Sequence, residues 1–127
     1  MESYEYYLAI VKRQGPDIKE VPNEFLTEEM ILTAIQSYNP YGTPILYFLP
    51  NSLLTPSLYM EALKKNGWNL AYVPQNLQTP EIIEAALKQT EWAIVLIKDT
   101  ETRRAYVQKH GKFSKEVQKD LENNKLL

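Results

Sequence analysis

The sequence predicts an all-α fold, a short helical-repeat array of about four helix–turn–helix units closed by a C-terminal helical cap. Three observations predict it. Helix-start residues recur at Ser3, Thr27, Thr55 and Thr79, spaced 24, 28 and 24 residues apart. Behind each start, apolar residues fall at the third, fourth, seventh and eighth positions, which form one face of an α-helix. No segment alternates with period two, apart from an ambiguous stretch over 92–98. A helix of about ten residues cannot bury such a face alone, whereas stacked neighbours share one continuous core. At roughly 8–10 Å between packed helices, the array would be about 30–40 Å long.

The elements follow in order. Units are expected over residues 3–26, 27–54, 55–78 and 79–101, with the cap over 102–127. Each start residue carries a hydroxyl that can accept from an amide of the first turn. Pro56 and Pro80 take the first helical position, where a missing N–H costs nothing. Glu5, Glu29 and Glu81 lie in first turns, as the helix dipole prefers. The apolar columns are Tyr6, Met30, Leu58 and Ile82; then Tyr7, Ile31, Tyr59 and Ile83. They continue with Ile10, Ala34, Ala62 and Ala86, and with Val11, Ile35, Leu63 and Leu87. The small residue in three of the four seventh positions implies a close helix contact there. Gly15 and Gly67 are expected to end their helices.

A shorter helix or turn follows in each unit. It holds Ile18, Leu46, Leu70 and Ile94, then Val21, Leu49, Val73 and Ile97, and Pro22, Pro50 and Pro74 close it. Phe25, Leu53 and Leu77 lead to the next start. In the cap, Thr102 is expected to start a helix through Lys109 that Gly111 ends. Ser114 starts another, and residues 122–127 are expected to fray.

The columns resemble a known family of tandem repeats, the domain of unknown function 4116. Its units read approximately Ala-Val-Lys-x-Asn-Gly-x-x-Leu-x-x-Val-Pro, followed by Thr-Pro-Glu. ALKKNGWNLAYVP at 62–74 and Thr79-Pro80-Glu81 match that pattern closely. VKRQGPDIKEVP in unit one is a fair match, unit two is interrupted, and unit four lacks the glycine and has Lys98 where the others have proline. The resemblance covers roughly residues 3–98 and implies a helical array. The family is scattered through bacteria, including effector-like proteins of intracellular pathogens, and it brings no established activity and no catalytic residues.

Composition bounds the function. The 127 residues are 44% hydrophobic and 24% charged, as in one globular domain. No apolar run approaches the length needed to cross a bilayer, and the acidic start MESYEYYLAIVKR does not resemble an export signal. A cytoplasmic location, or delivery into a host cell, is the expectation. Without cysteine there is no disulfide, thiolate metal ligand or thiol nucleophile. Residues 1–97 carry 6 Lys+Arg against 11 Asp+Glu, a balance of −5, whereas residues 98–127 carry 8 against 5, a balance of +3. Phosphate would be repelled over most of the chain, so nucleic acid is not the expected partner.

Candidate contact residues lie in two places. SYNPYGTP at 37–44 carries four residues more than the matching stretch of other units. Insertions in repeat proteins map to loops on one face, often the binding face. Its Tyr38 and Tyr41 are good contact residues, or they fold back onto the surface of a tolerated insertion. The other place is a basic row at the helix ends, Lys12 and Arg13, Lys64 and Lys65, and Lys88. That row suits an acidic partner or simply compensates helix dipoles. Trp68 and Trp92 share one column and form either corner packing or an aromatic ledge.

Catalytic groups are sparse. His110, the single histidine, sits beside a helix end and supports neither a triad nor a metal site. Glu28, Glu29, Glu81 and Glu84 lie where helix starts favour carboxylates. No cofactor or metal is expected, and neither is catalysis. The chain reads first as a module that binds another protein through the 37–44 loop or the repeat face. An enzyme or enzyme inhibitor would need Tyr41, Lys88 and a carboxylate in one pocket. A structural unit would self-associate through apolar columns at an open end, around Tyr4 and Tyr7.

Overall fold

The computed structural model describes residues 3–126, and every regular element among them is helical. Six α-helices run Tyr4–Arg13 (α1), Glu28–Gln36 (α2), Pro56–Lys65 (α3), Pro80–Gln89 (α4), Thr100–His110 (α5) and Lys115–Asn123 (α6). Local chemistry sets their starts. The hydroxyls of Ser3, Thr27, Thr55 and Thr79 accept from the amides of Tyr6, Met30, Leu58 and Ile82 at 3.2, 3.2, 3.2 and 3.4 Å. Each satisfies an amide that the helix leaves without an internal partner.

Behind each of α1–α4 runs a 3₁₀ helix: Gly15–Glu20, Ile45–Phe48, Gly67–Tyr72 and Glu91–Leu96. The stretch that alternation left ambiguous therefore belongs to this row. In the first three units its end is closed by one recurring bond, Val21 N–H to the Ile18 carbonyl, Leu49 to Leu46 and Val73 to Leu70, at 3.0, 3.2 and 3.1 Å. Pro22, Pro50 and Pro74 then stop the chain from continuing. Their carbonyls accept from Phe25, Leu53 and Leu77, making a second 3₁₀ turn before the next cap.

The units pack in sequence order. α1 lies on α2, α2 on α3 and α3 on α4, while consecutive 3₁₀ helices pack on one another alongside. Both rows bury the expected columns: Met30, Ile31, Ala34 and Ile35 in α2, and Leu58, Tyr59, Ala62 and Leu63 in α3. Leu87 in α4 is only half-buried. In α1 the third- and seventh-column residues are less covered, Ile10 being half-buried and Tyr6 50% exposed. The helices of the cap close the other end, where α6 presses Val117 and Leu121 onto the core beside the last 3₁₀ helix.

Three expectations need correction. Gly15 and Gly67 do not end their helices. α1 and α3 end at Gln14 and Asn66 in extended conformation, and the glycines open the following 3₁₀ helices. Their role is close approach, since a Cβ on Gly15 would stand 2.2 Å from the Ala34 carbonyl oxygen and one on Gly67 2.5 Å from that of Ala86. The small seventh residues and the glycines are thus two sides of one contact, each glycine lying under the next unit's helix. Thr102 does not start α5. Asp99 does, its Oδ2 accepting from the Thr102 amide at 2.9 Å and hydroxyl at 2.7 Å, and the helix runs through His110. Nor is the end loose through Leu126. The Leu126 amide donates to the Leu121 carbonyl at 2.8 Å, and the buried Arg103 donates from Nε to the Leu126 carbonyl at 2.8 Å. Leu127 lies outside the described residues.

Candidate functional site

Four aromatic side chains gather on the outer side of the 3₁₀ row at units two and three. Tyr47 meets Phe48 edge-on at 5.1 Å between ring centres and Tyr72 of the next unit at 5.8 Å. Tyr41 leans on Phe48 at 6.2 Å. The 3₁₀ geometry explains the cluster. Leu46 and Leu49 face the core, Phe48 between them is half-buried against it, and Tyr47 turns outward. Tyr47 is 61% and Tyr41 50% exposed, so two aromatic rings of the cluster face water.

Beneath the tyrosines lies an open groove of about 480 Å3, lined among others by Tyr47, Leu49, Asn51, Tyr72, Pro74 and Lys98. Lys98 fills the column that proline holds in the other units. Its amide donates to Gln78 Oε1 at 2.9 Å, a bond that proline cannot make. Its Nζ donates to the carbonyls of Ala71 and Val73 at 3.0 and 2.6 Å. Partial burial pushes this ammonium below the usual lysine range. Gln78 completes the junction, its Nε2 reaching the carbonyls of Leu70, Val73 and Leu96 at 3.2, 3.2 and 3.3 Å.

The loop 37–44 is ordered by its own asparagine. Asn39 donates to the Thr43 carbonyl at 2.9 Å and accepts from the Tyr41 amide at 3.0 Å. The Tyr38 carbonyl accepts from the Gly15 amide at 3.0 Å, while its side chain is 66% exposed. Tyr41 thereby joins the aromatic cluster, and Tyr38 stands apart from it.

The basic row is less uniform than its spacing suggests. Lys65 Nζ donates to the Gln36 carbonyl at 3.0 Å and so caps the end of α2. Lys64 and Lys88 share a shallow depression with Glu81 and Glu84, so carboxylates interrupt the cations. Glu84 also pairs with Lys109 at 3.1 Å, both side chains being open to water. Lys88 and Tyr41 line different surfaces, one on α4 and one above the 3₁₀ row. The tryptophans stack on each other at 6.0 Å and 25°, with Trp68 41% exposed and Trp92 half-buried against the core. They are therefore a surface stack as much as corner packing. His110 is exposed, between the rings of Tyr106 and Phe113.

Two polar groups join neighbouring units, Asn69 and the hydroxyl of Tyr4, a residue expected at an open apolar end. Asn69 is fully buried, donating to the Ala62 and Asn66 carbonyls at 2.9 and 3.0 Å and accepting from the Leu46 amide at 3.0 Å. The Tyr4 hydroxyl lies 2.6 Å from the Thr27 hydroxyl and donates to Glu29 at 2.7 Å, tying unit one to unit two. No group of three or more His, Asp or Glu placed to hold a metal ion occurs among the described residues. No helix there is long and apolar enough to cross a membrane.

No curated protein and no solved structure matches the chain. Residues 56–100, which run from α3 through α4 and its 3₁₀ helix to the first residue of α5, match the family model described as domain of unknown function (DUF4116), the family whose repeat the sequence resembles.

Proposed function

We propose that the chain is a protein-interaction module, a short solenoid that binds another protein along its 3₁₀ row. The cluster of exposed Tyr41 and Tyr47 with half-buried Phe48 and Tyr72, above an open groove, supports this reading. Rigid aromatic side chains give large contact area for little lost entropy, and they dominate the energetics of protein interfaces. Three carboxylates have structural partners: Glu29 binds Tyr4, Glu84 pairs with Lys109, and Glu91 Oε1 accepts from the Ser114 amide at 2.7 Å at the start of α6.

Affinity capture from bacterial and human lysates tests the reading, with wild type, Tyr41→Ala/Tyr47→Ala and Lys64→Ala/Lys88→Ala as parallel baits. A protein retained by wild type and by the lysine variant, and lost by the tyrosine variant, is the expected result. Retention by the tyrosine variant together with loss by the lysine variant would move the interface to α3 and α4. If the lysates give no specific protein, the module reading gives way to self-association.

A further inference from the structure

Resting on the module reading, we infer that the groove at Tyr47 and Tyr72 takes a lysine side chain of the partner, its ammonium seated on the carbonyls of Tyr47 and Leu49. The chain supplies the template itself. One repeat further on, the carbonyls of Ala71 and Val73 hold the ammonium of Lys98 at 3.0 and 2.6 Å. In repeat register, Tyr47 and Leu49 occupy the columns of Ala71 and Val73, and both line the groove.

Neither intramolecular donor of the Lys98 junction recurs there. Pro74 stands in the Lys98 column and Leu54 in the Gln78 column, so proline and leucine replace an ammonium and a carboxamide. Backbone carbonyls at the end of a helical segment carry partial negative charge and favour a cation. The tyrosine faces add to this, because a cation over an aromatic ring is attracted by its quadrupole and the aliphatic stem packs against the ring. At longer range the net charge of −2 on the whole chain favours a cation modestly. Lys98 also lines this groove, and its ammonium is held by the carbonyls of Ala71 and Val73, one repeat away from those of Tyr47 and Leu49.

Nuclear magnetic resonance titration of the isotope-labelled chain tests this with three blocked pentapeptides, Ala-Ala-X-Ala-Ala, in which X is lysine, norleucine or glutamate. The lysine peptide is expected to shift the amides of residues 45–49 and 71–73, with norleucine weaker and glutamate inactive. Tyr47→Ala, which changes an exposed side chain, should weaken lysine binding about two- to fivefold. Lys98→Met should vacate the Ala71 and Val73 carbonyls and add a second lysine-dependent set of shifts there. Equal shifts from lysine and norleucine would overturn the ammonium assignment while leaving an apolar interaction groove intact. Preference for glutamate would overturn it in favour of Lys98 as the recognising group. Absence of groove shifts from any peptide would also overturn it, and lysate capture would then judge the module reading alone.

Discussion

Replacing Gly67 with alanine adds one methyl group where the structure has no room for it. The new Cβ would lie 2.5 Å from the Ala86 carbonyl oxygen, 3.0 Å from Gln89 Cβ and 3.1 Å from Thr90 Cγ2. That carbonyl already accepts from the Thr90 amide at 3.1 Å, so it cannot swing aside without losing the bond that ends α4. Restoring ordinary contact near 3.4 Å requires α4 to shift by about 1 Å relative to unit three. Overpacking of a tight core costs about 1–3 kcal/mol. Alanine recovers about 0.4–1 kcal/mol by restricting the unfolded chain, because the backbone at Gly67 is not left-handed. The net loss is about 1–2 kcal/mol, or roughly 4–8 °C in melting temperature for a domain of this size. Thermal unfolding followed by circular dichroism reads it, with Gly42→Ala as control, since a Cβ there meets nothing within 4 Å. If Gly67→Ala melts with wild type, the glycine is not the close-approach point and the proposed seam between units is wrong.

Other perturbations separate structural residues from surface ones. Asn69→Leu should cost about 1–3 kcal/mol in denaturant unfolding, because it strands the buried amide of Leu46 and the Ala62 carbonyl loses a donor. Tyr38→Ala/Tyr41→Ala should stay within about 0.5 kcal/mol of wild type, as both side chains are at least half exposed. Asp99 gives a pH dependence of defined sign. The Thr102 hydroxyl and amide hold its carboxyl below the ordinary 3.8, so it favours the fold above that pH. The advantage fades as pH falls through the lower folded value. Asp99→Asn should flatten the acid limb of the stability profile, and an unchanged limb would mean that α5 does not depend on this cap.

What was legible in the sequence was local. A threonine ahead of a helix and a proline at its first position act on amides a few residues away, so the four starts could be placed from spacing alone. Positions three, four, seven and eight share a helical face, so the core columns could be placed too. The glycines were misread because their partners lie in the next helix, Ala34 for Gly15 and Ala86 for Gly67, and nothing local distinguishes close approach from a helix end. Asp99 was passed over for Thr102 because a hydroxyl fitted the repeating pattern and the helix begins earlier than the pattern implied. Asn69, Gln78 and Lys98 depart from the columns, and only their partners show that the departures join units. Of the aromatic cluster, Tyr41 was found through the insertion, while Tyr47, Phe48 and Tyr72 were missed. A signal was present: where unit one has Lys19 and Glu20, unit two has Tyr47 and Phe48, and unit three has Tyr72 in the second column. In units two and three the first of these columns turns outward and the second lies half-buried at the core's edge, an arrangement set by the 3₁₀ geometry and not by α-helical spacing.

The most direct test of an interaction face along the 3₁₀ row is hydrogen–deuterium exchange of the chain, free and in complex with the protein that it captures. Slowed exchange concentrated at residues 45–49 and 71–73, with the ends of α3 and α4 unchanged, is the predicted result. Protection confined to Lys64, Lys88 and their neighbours, with the groove exchanging as in the free chain, would contradict the account.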